Sequence, residues 1–191
     1  MDLLRVGLAM TASHCTFEKT LRAVEALKDR YVFTPILSER AYATDTRFGT
    51  AAALRSRLEE LCGRAPLHSV TEVEPVGPGD YFDLLLIAPC TGNTLAKLAA
   101  GMTDGCVPMA AKSHLRGGKP VLLALSTNDG LSGSAGSIAA LLNRKNVYFL
   151  PFYQDDPERK PSSLVSDYRM LDPAIRAAAE GRQIQPLLAR V

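Results

Sequence analysis

Residues Asp83 to Gly105 read DLLLIAPCTGNTLAKLAAGMTDG. Leu84 to Ala88 form an unbroken apolar run, too short and too evenly apolar for an amphipathic helix. The run predicts a strand buried on both faces, the habit of parallel sheets. Pro89 has no N–H to give and is expected to end the ladder. Cys90 to Thr94 read as a tight polar loop, and Leu95, Leu98, Ala99 and Met102 follow at helical spacing. A strand, a small-residue loop and a helix start bring free N–H groups and the helix dipole to one place, which suits an anionic or polar ligand. The same residues also fit an ordinary strand-to-helix turn capped by Asn93 or Thr94.

Upstream, Leu3 to Met10 read as a first strand and Thr11 to Cys15 as its loop, with Phe17, Leu21, Val24 and Leu27 marking a helix. A dinucleotide fingerprint would need GxGxxG here, and Gly7 alone precedes the turn, so NAD binding at this loop is disfavoured. A single phosphate held by Thr11, Ser13 and backbone N–H groups is compatible with the loop. Tyr31 to Leu37 read as a second strand with Ser38 at its end, and Ser38 to Gly49 as an aperiodic loop. Leu54, Leu58 and Leu61 mark a helix ended near Gly63. Val70 and Val73 are assigned to a short strand, and Pro75 to Gly79 to a turn-rich connection.

Downstream, Met109 to Arg116 read as a helix stopped by Gly117-Gly118, and Pro120 to Leu125 as a strand followed by the polar loop Ser126 to Gly130. Ile138, Leu141 and Leu142 mark a further helix, and Val147 to Leu150 a last short strand closed by Pro151. The chain is then polar from Gln154 to Ser163, and Asp172 is expected to cap a helix with Pro173 at its first position and Gly181 at its end. Strands alternating with helices define an α/β protein, a three-layer Rossmann-like fold with a parallel sheet flanked by helices. In such sheets ligands bind beyond the carboxyl ends of the strands. Four of those ends carry hydroxyl or amide groups: Thr11 and Ser13, Ser38, Thr91 to Thr94, and Ser126 to Asn128.

The 191 residues are 47% hydrophobic and 22% charged, which bounds the chain to one soluble globular domain spanning 1–191, with 152–191 as a C-terminal loop and helix extension. A net charge of +2 with no basic run argues against nucleic acid and anionic membrane surfaces as partners. Cys15, Cys62, Cys90 and Cys106 lie far apart without CxxC, so no metal site is expected, and reduced thiols point to the cytoplasm.

The segment APCTGNTLAKLAAGMTD resembles the APxSANTxAKxAxGxxD motif of the flavin-containing cysteine decarboxylase superfamily. The first loop, AMTASHC, is similar to the GxTGSHC of one branch, the B subunits of dipicolinate synthase in spore-forming bacteria. TRFG (Thr46 to Gly49), EPVGP (Glu74 to Pro78), STND (Ser126 to Asp129) and PFYQDDPERKP (Pro151 to Pro161) extend the resemblance over nearly the whole chain. It implies FMN as cofactor and self-association as a trimer or a multiple of three. It also implies a dehydrogenase-like A subunit carrying NADP, and oxidoreductase chemistry in sporulation that turns the small dicarboxylate 4-hydroxy-tetrahydrodipicolinate into dipicolinate.

Carried over by position, Thr11 and Ser13 match the first-loop phosphate contacts, and Ser38 matches a serine after the second strand. Thr91, Gly92, Asn93 and Thr94 match the flavin-lining SANT residues, while Ser126 and Asn128 fall in the loop equivalent to PAMN. Ala12 replaces a glycine, LSTND lacks the proline and methionine of the decarboxylases, and Glu74 stands near the place of their histidine. These departures speak against decarboxylation. Alternative readings are an FMN-dependent decarboxylase of the wider superfamily and a flavin-free scaffold for the A subunit. Arg47 is the candidate for a substrate carboxylate, or else an exposed surface arginine. His14 could donate to phosphate or act as an acid, or serve only as a cap or surface residue.

Overall fold

Leu84–Cys90, buried at every position, forms an inner strand of the sheet in the computed structural model, which describes residues 3–189. The elements run β1 (Leu4–Met10), α1 (Phe17–Glu25), β2 (Tyr31–Leu37), α2 (Glu39–Ala43), α3 (Ala51–Cys62), α4 (Val70–Val73), β3 (Leu84–Cys90), α5 (Gly92–Ala100), α6 (Cys106–Arg116), β4 (Val121–Thr127), α7 (Ala135–Leu142), β5 (Val147–Phe149), β6 (Phe152–Tyr153), β7 (Leu164–Ser166) and α8 (Leu171–Ala179). Alternate residues of β3 serve opposite cores, because side chains of a strand alternate in direction. Leu84, Leu86 and Ala88 join Leu21, Leu58 and Ile175 from α1, α3 and α8. Leu85 and Ile87 join Val73, Leu95, Val107 and Ile138 from α4 to α7. Two covered faces make three layers.

The parallel strands lie in the order β2-β1-β3-β4-β5. The chain therefore leaves β1 in one direction and continues from β3 in the other, which opens a crevice between their carboxyl ends. The sheet is mixed, not purely parallel. β7 runs antiparallel to the last residues of β4, pairing Ser126 with Val165 and Thr127 with Leu164, and β6 pairs antiparallel with β7. These short strands flank the polar stretch Gln154 to Ser163, and two or three residues give no readable alternation.

Several local expectations are corrected. β3 does not stop at Pro89 but runs to Cys90, with a register shift between Ile87 and Cys90. The proline lacks an N–H, yet its carbonyl accepts from Thr11 N–H at 3.2 Å. The stretch after Ser38 is a short helix, too brief to show a period. Val70–Val73 is helical instead of extended, begun by a capping box between Ser69 and Glu72. α6 starts at Cys106, where the Glu39 carboxylate accepts from the Cys106 N–H at 2.6 Å. α8 starts at Leu171, so Asp172 lies in its first turn and does not cap it, and Pro173 is its third residue, not its first. There Asp172 accepts from Tyr31 Oη at 2.7 Å and pairs with Arg30 at 2.9 Å and Arg176 at 2.6 Å.

Candidate functional site

The crevice between β1 and β3 is held by one buried hydroxyl. Thr11 Oγ1 donates to the Pro89 carbonyl at 2.8 Å and accepts from Thr91 N–H at 3.0 Å, which ties the two strand ends together. Ser38 N–H donates to the Met10 carbonyl at 3.0 Å, and the Ser38 hydroxyl caps α2 by accepting from Ala41 N–H at 3.3 Å. Thr91 is the cap of α5, accepting from Thr94 N–H at 3.4 Å, so Asn93 and Thr94 lie inside the helix instead of capping it. Ala12 takes no left-handed backbone: the non-glycine residues with positive φ among those described are Asp80 and Asn146. Replacing the family glycine there therefore brings no φ penalty.

Two clefts open from this junction and share Ala12, Thr91 and Asn93. The larger, about 630 Å³, contains the predicted residues Ser13, Thr91, Gly92, Asn93, Ser126 and Asn128 in its lining. The smaller, about 580 Å³, contains Thr11, Ser38, Thr91, Asn93 and Thr94. Every predicted position except Arg47 and His14 thus lines one cleft or both. Arg47 sits on the exposed Thr46–Gly49 turn with its guanidinium over the Phe48 ring at 4.8 Å. Beside that turn a more apolar hollow of about 260 Å³ is lined by His14, Phe17, Leu21 and Phe48. Burial pushes the His14 imidazole below its ordinary pKa.

The floor of the larger cleft is a hydroxyl trio. Ser13 and Thr16 each lie 2.7 Å from Ser126 Oγ, and 3.2 Å separate Ser13 Oγ from Thr16 Oγ1. Thr20 and Tyr168 continue the polar floor through a buried hydrogen bond of 2.7 Å, and burial holds the Tyr168 phenol protonated. At the start of α5, Gly92 is crowded: a Cβ there would meet Ser134 Oγ at 2.5 Å, Thr127 Oγ1 at 2.7 Å and Asp129 Oδ1 at 2.9 Å. Asp129 accepts hydrogen bonds from Thr127 and Ser134, which hold its carboxyl below the usual range. A carboxylate therefore already occupies the region where the α5 dipole would attract an anion. The anion-friendly part of the cleft is the α1 side, with Ser13, Thr16 and Lys19.

Lys19, Thr16, Tyr153, Lys160 and Ser163 line the larger cleft and Arg40 the smaller, yet sequence reading did not single them out. Ser13 and Thr16 precede α1 and Lys19 lies in its first turn, so carrying the first-loop reading on into the helix start could have found Thr16 and Lys19. No histidine lines either cleft among the described residues. The thiols of Cys90 and Cys106 are buried and pushed up, Cys106 to about 12, so neither is a ready thiolate. Among the described residues no cluster of three acidic, cysteine or histidine side chains is placed to hold a metal, and no helix is long and apolar enough to cross a membrane.

A strand order that reverses at a polar, hydroxyl-lined crevice defines an open α/β fold with a ligand crevice beyond the carboxyl ends of its strands. The profile of the family described as Flavoprotein matches residues 1–149. The chain is 40% identical over 185 residues to the dipicolinate synthase B subunit of Bacillus subtilis (strain 168), covering 96% of this chain and 92% of that protein. The crystal structure of the dipicolinate synthase B subunit from Bacillus halodurans C superposes with a TM-score of 0.90 at 39% identity, covering 100% and 99% of the two chains. An FMN-dependent cysteine decarboxylase, SpaF, shares the fold at a TM-score of 0.63 and 18% identity, over 92% and 97%. The chain belongs to the Flavoprotein family and, within it, to the family of dipicolinate synthase B subunits.

Proposed function

We propose that this chain works as the B subunit of dipicolinate synthase, together with an NADP-carrying, dehydrogenase-like A subunit. The pair converts 4-hydroxy-tetrahydrodipicolinate to dipicolinate in the cytoplasm of a sporulating cell. The observation that carries this reading is the pair of clefts at the β1–β3 junction, in a chain with near-full-length identity to that subunit. Aromatisation of the precursor removes water and two electrons, and no dinucleotide fingerprint follows β1. The hydride acceptor therefore belongs to the partner or to a flavin, and this chain's own residues bind, orient and shield the dicarboxylate.

The donor set fits FMN. A cleft of about 630 Å³ falls within the range of roughly 300–1,000 Å³ typical of small-ligand sites. Ser13, Thr16 and Ser126 would hold the phosphate. Ser38, Thr91, Asn93, Thr94 and Asn128 would offer polar groups to the rest, with Thr11 fixing the junction and Gly92 admitting the β4 loop. FMN, when bound, supplies a two-electron acceptor. Arg47 is proposed as an outer carboxylate contact reached through its turn. Residues 1–191 are proposed to act as one domain with 152–191 as its extension, self-associating as a trimer or a multiple of three. A decarboxylase reading has less support, because neither cleft presents a histidine among the described residues.

The deciding experiment supplies the precursor and NADP to each of the two chains alone and to both together, and follows dipicolinate by ultraviolet absorbance. Product is expected at full rate only with both chains. Full-rate formation by either chain alone would sink the reading. A yellow colour and a flavin spectrum in the purified chain test FMN, and light scattering at micromolar concentration tests the oligomer.

A further inference from the structure

The Flavoprotein profile ends at residue 149, yet residues beyond it form one wall of the larger cleft. That wall is fixed to the sheet. β7 pairs with Ser126 and Thr127, Ser163 Oγ donates to the Thr127 carbonyl at 3.3 Å, and Leu131 N–H donates to the Ser162 carbonyl at 3.0 Å. Opposite stands Lys19 of α1. Its Nζ lies 3.5 Å from Tyr153 Oη, 5.8 Å from the Tyr153 ring centre and 5.6 Å from that of Tyr168. Two aromatic faces steady the ammonium without neutralising it.

The other charges of this cleft are already committed. Lys160 pairs with Asp155 at 3.3 Å, and Asp129 is held by the Thr127 and Ser134 hydroxyls. Among the described residues Lys19 has no carboxylate within ion-pair distance, and the Tyr153 hydroxyl, which accepts from Lys19, has no acceptor for its own proton. Two adjacent donors, one of them cationic, suit the two oxygens of a single carboxylate.

We infer that Lys19 and Tyr153 form the subsite for one carboxylate of the dicarboxylate substrate. The inference rests on the reading of the chain as the B subunit of dipicolinate synthase and adds the residues that recognise its substrate. A flavin phosphate is the competing anion at this place. The phosphate already has the hydroxyl trio of Ser13, Thr16 and Ser126, whereas Lys19 and Tyr153 offer the side-by-side donor pair that the two oxygens of one carboxylate take. The substrate carboxylate is therefore the occupant, and the phosphate stays with the hydroxyl trio.

The test uses the assembled two-subunit enzyme with Lys19→Met, Lys19→Arg and Tyr153→Phe, each first shown to melt like the parent. Lys19→Met is expected to raise KM for the precursor by about tenfold or more, with a smaller change in kcat. Lys19→Arg should restore most of the affinity, and Tyr153→Phe should cost a few-fold. Titration of this chain alone with pyridine-2,6-dicarboxylate should weaken in parallel with KM, while FMN affinity holds. An unchanged KM in Lys19→Met beside an active parent pair overturns the subsite alone. Loss of FMN affinity with KM intact assigns Lys19 to the phosphate and likewise overturns it. An inactive parent pair instead removes the functional reading, a separate result.

Discussion

At the amino edge of the sheet Arg5 lies 2.6 Å from Asp83 and 3.2 Å from Asp80, and Lys119 reaches the same two carboxylates. Hydrogen bonds from Lys119 and Arg5 hold Asp80, and from Arg5 hold Asp83, below the usual carboxylate range. At the carboxyl edge Lys19, Arg40 and Arg47 have no carboxylate partner among the described residues, while Glu39 and Asp104 there are taken by the Cys106 N–H and Lys97. One edge satisfies its own charges; the other leaves Lys19, Arg40 and Arg47 without a carboxylate, beside a floor of hydroxyls bonded to one another. The difference separates roles: groups at the amino edge hold the fold, and groups at the carboxyl edge are available to a ligand.

The largest expected effect tests whether the carboxyl edge is as tightly built as it is polar. Gly92→Ala would place a Cβ within 2.9 Å of three oxygens from Thr127, Asp129 and Ser134. Overpacking of this kind costs about 1–3 kcal/mol, and here it would also push the β4 loop off the start of α5. Thermal melting and ligand titration should both suffer. A neutral effect on both would show that the loop yields easily and that the crowding is not needed for the cleft.

The amino edge should respond in stability alone. His114, 1% exposed at the end of α6, sits with Nε2 3.1 Å from the Pro120 carbonyl. Burial pushes its pKa down to about 4 from 6.5, against a smaller upward push from that contact. The folded state therefore favours the neutral ring, and the stability it contributes is complete above pH 6.5 and lost as pH falls toward 4. By pH 5 the loss is about 2 kcal/mol. His114→Gln should flatten the melting temperature between pH 7 and 5 without changing ligand affinity. An unaltered slope would remove His114 as the cause.

Much of this division could be read from the chain because it rests on strong local signals. The run from Leu84, the breaks after Met10 and Leu37, and the polar residues behind each strand placed the parallel strands and the crevice. The wall beyond residue 149 was not legible, since β6 and β7 are too short for alternation and depend on pairing with Ser126 and Thr127. The cap of α5 was misplaced because Thr91, Asn93 and Thr94 share the same chemistry, and tertiary contacts choose between them. α4 was missed despite its signal: Ser69 followed by Glu72 is a capping-box spacing.

Within the carboxyl edge two variants separate phosphate from ring. Ser13→Ala removes one member of the hydroxyl trio and should weaken FMN by about tenfold while sparing riboflavin. Asn93→Ala should weaken both ligands, because the exposed Asn93 lines both clefts. Its fold should survive, since the cap is Thr91 and an exposed substitution away from it changes stability by about 0.5 kcal/mol or less. Fluorescence titration with each flavin distinguishes the two. Equal losses for both ligands in both variants would refute the division of the site.

The smallest effect belongs to Arg47, where the contrast between edges is weakest. Its guanidinium rests on Phe48, which is 55% exposed, and the turn lies outside both clefts. A contact with substrate must therefore be made at the surface, where solvent screens it. An exposed ion pair of this kind is worth about 0.2–1 kcal/mol, so Arg47→Ala should raise KM by roughly 1.4- to fivefold and leave the melting temperature unchanged. The same variant at high salt should lose its difference from the parent, because screening removes what the arginine supplies. A KM equal to the parent at low salt would return Arg47 to the ordinary surface. A change matching that of Lys19→Met would mean that the turn closes over the substrate, and that the free charge of this edge acts as one group.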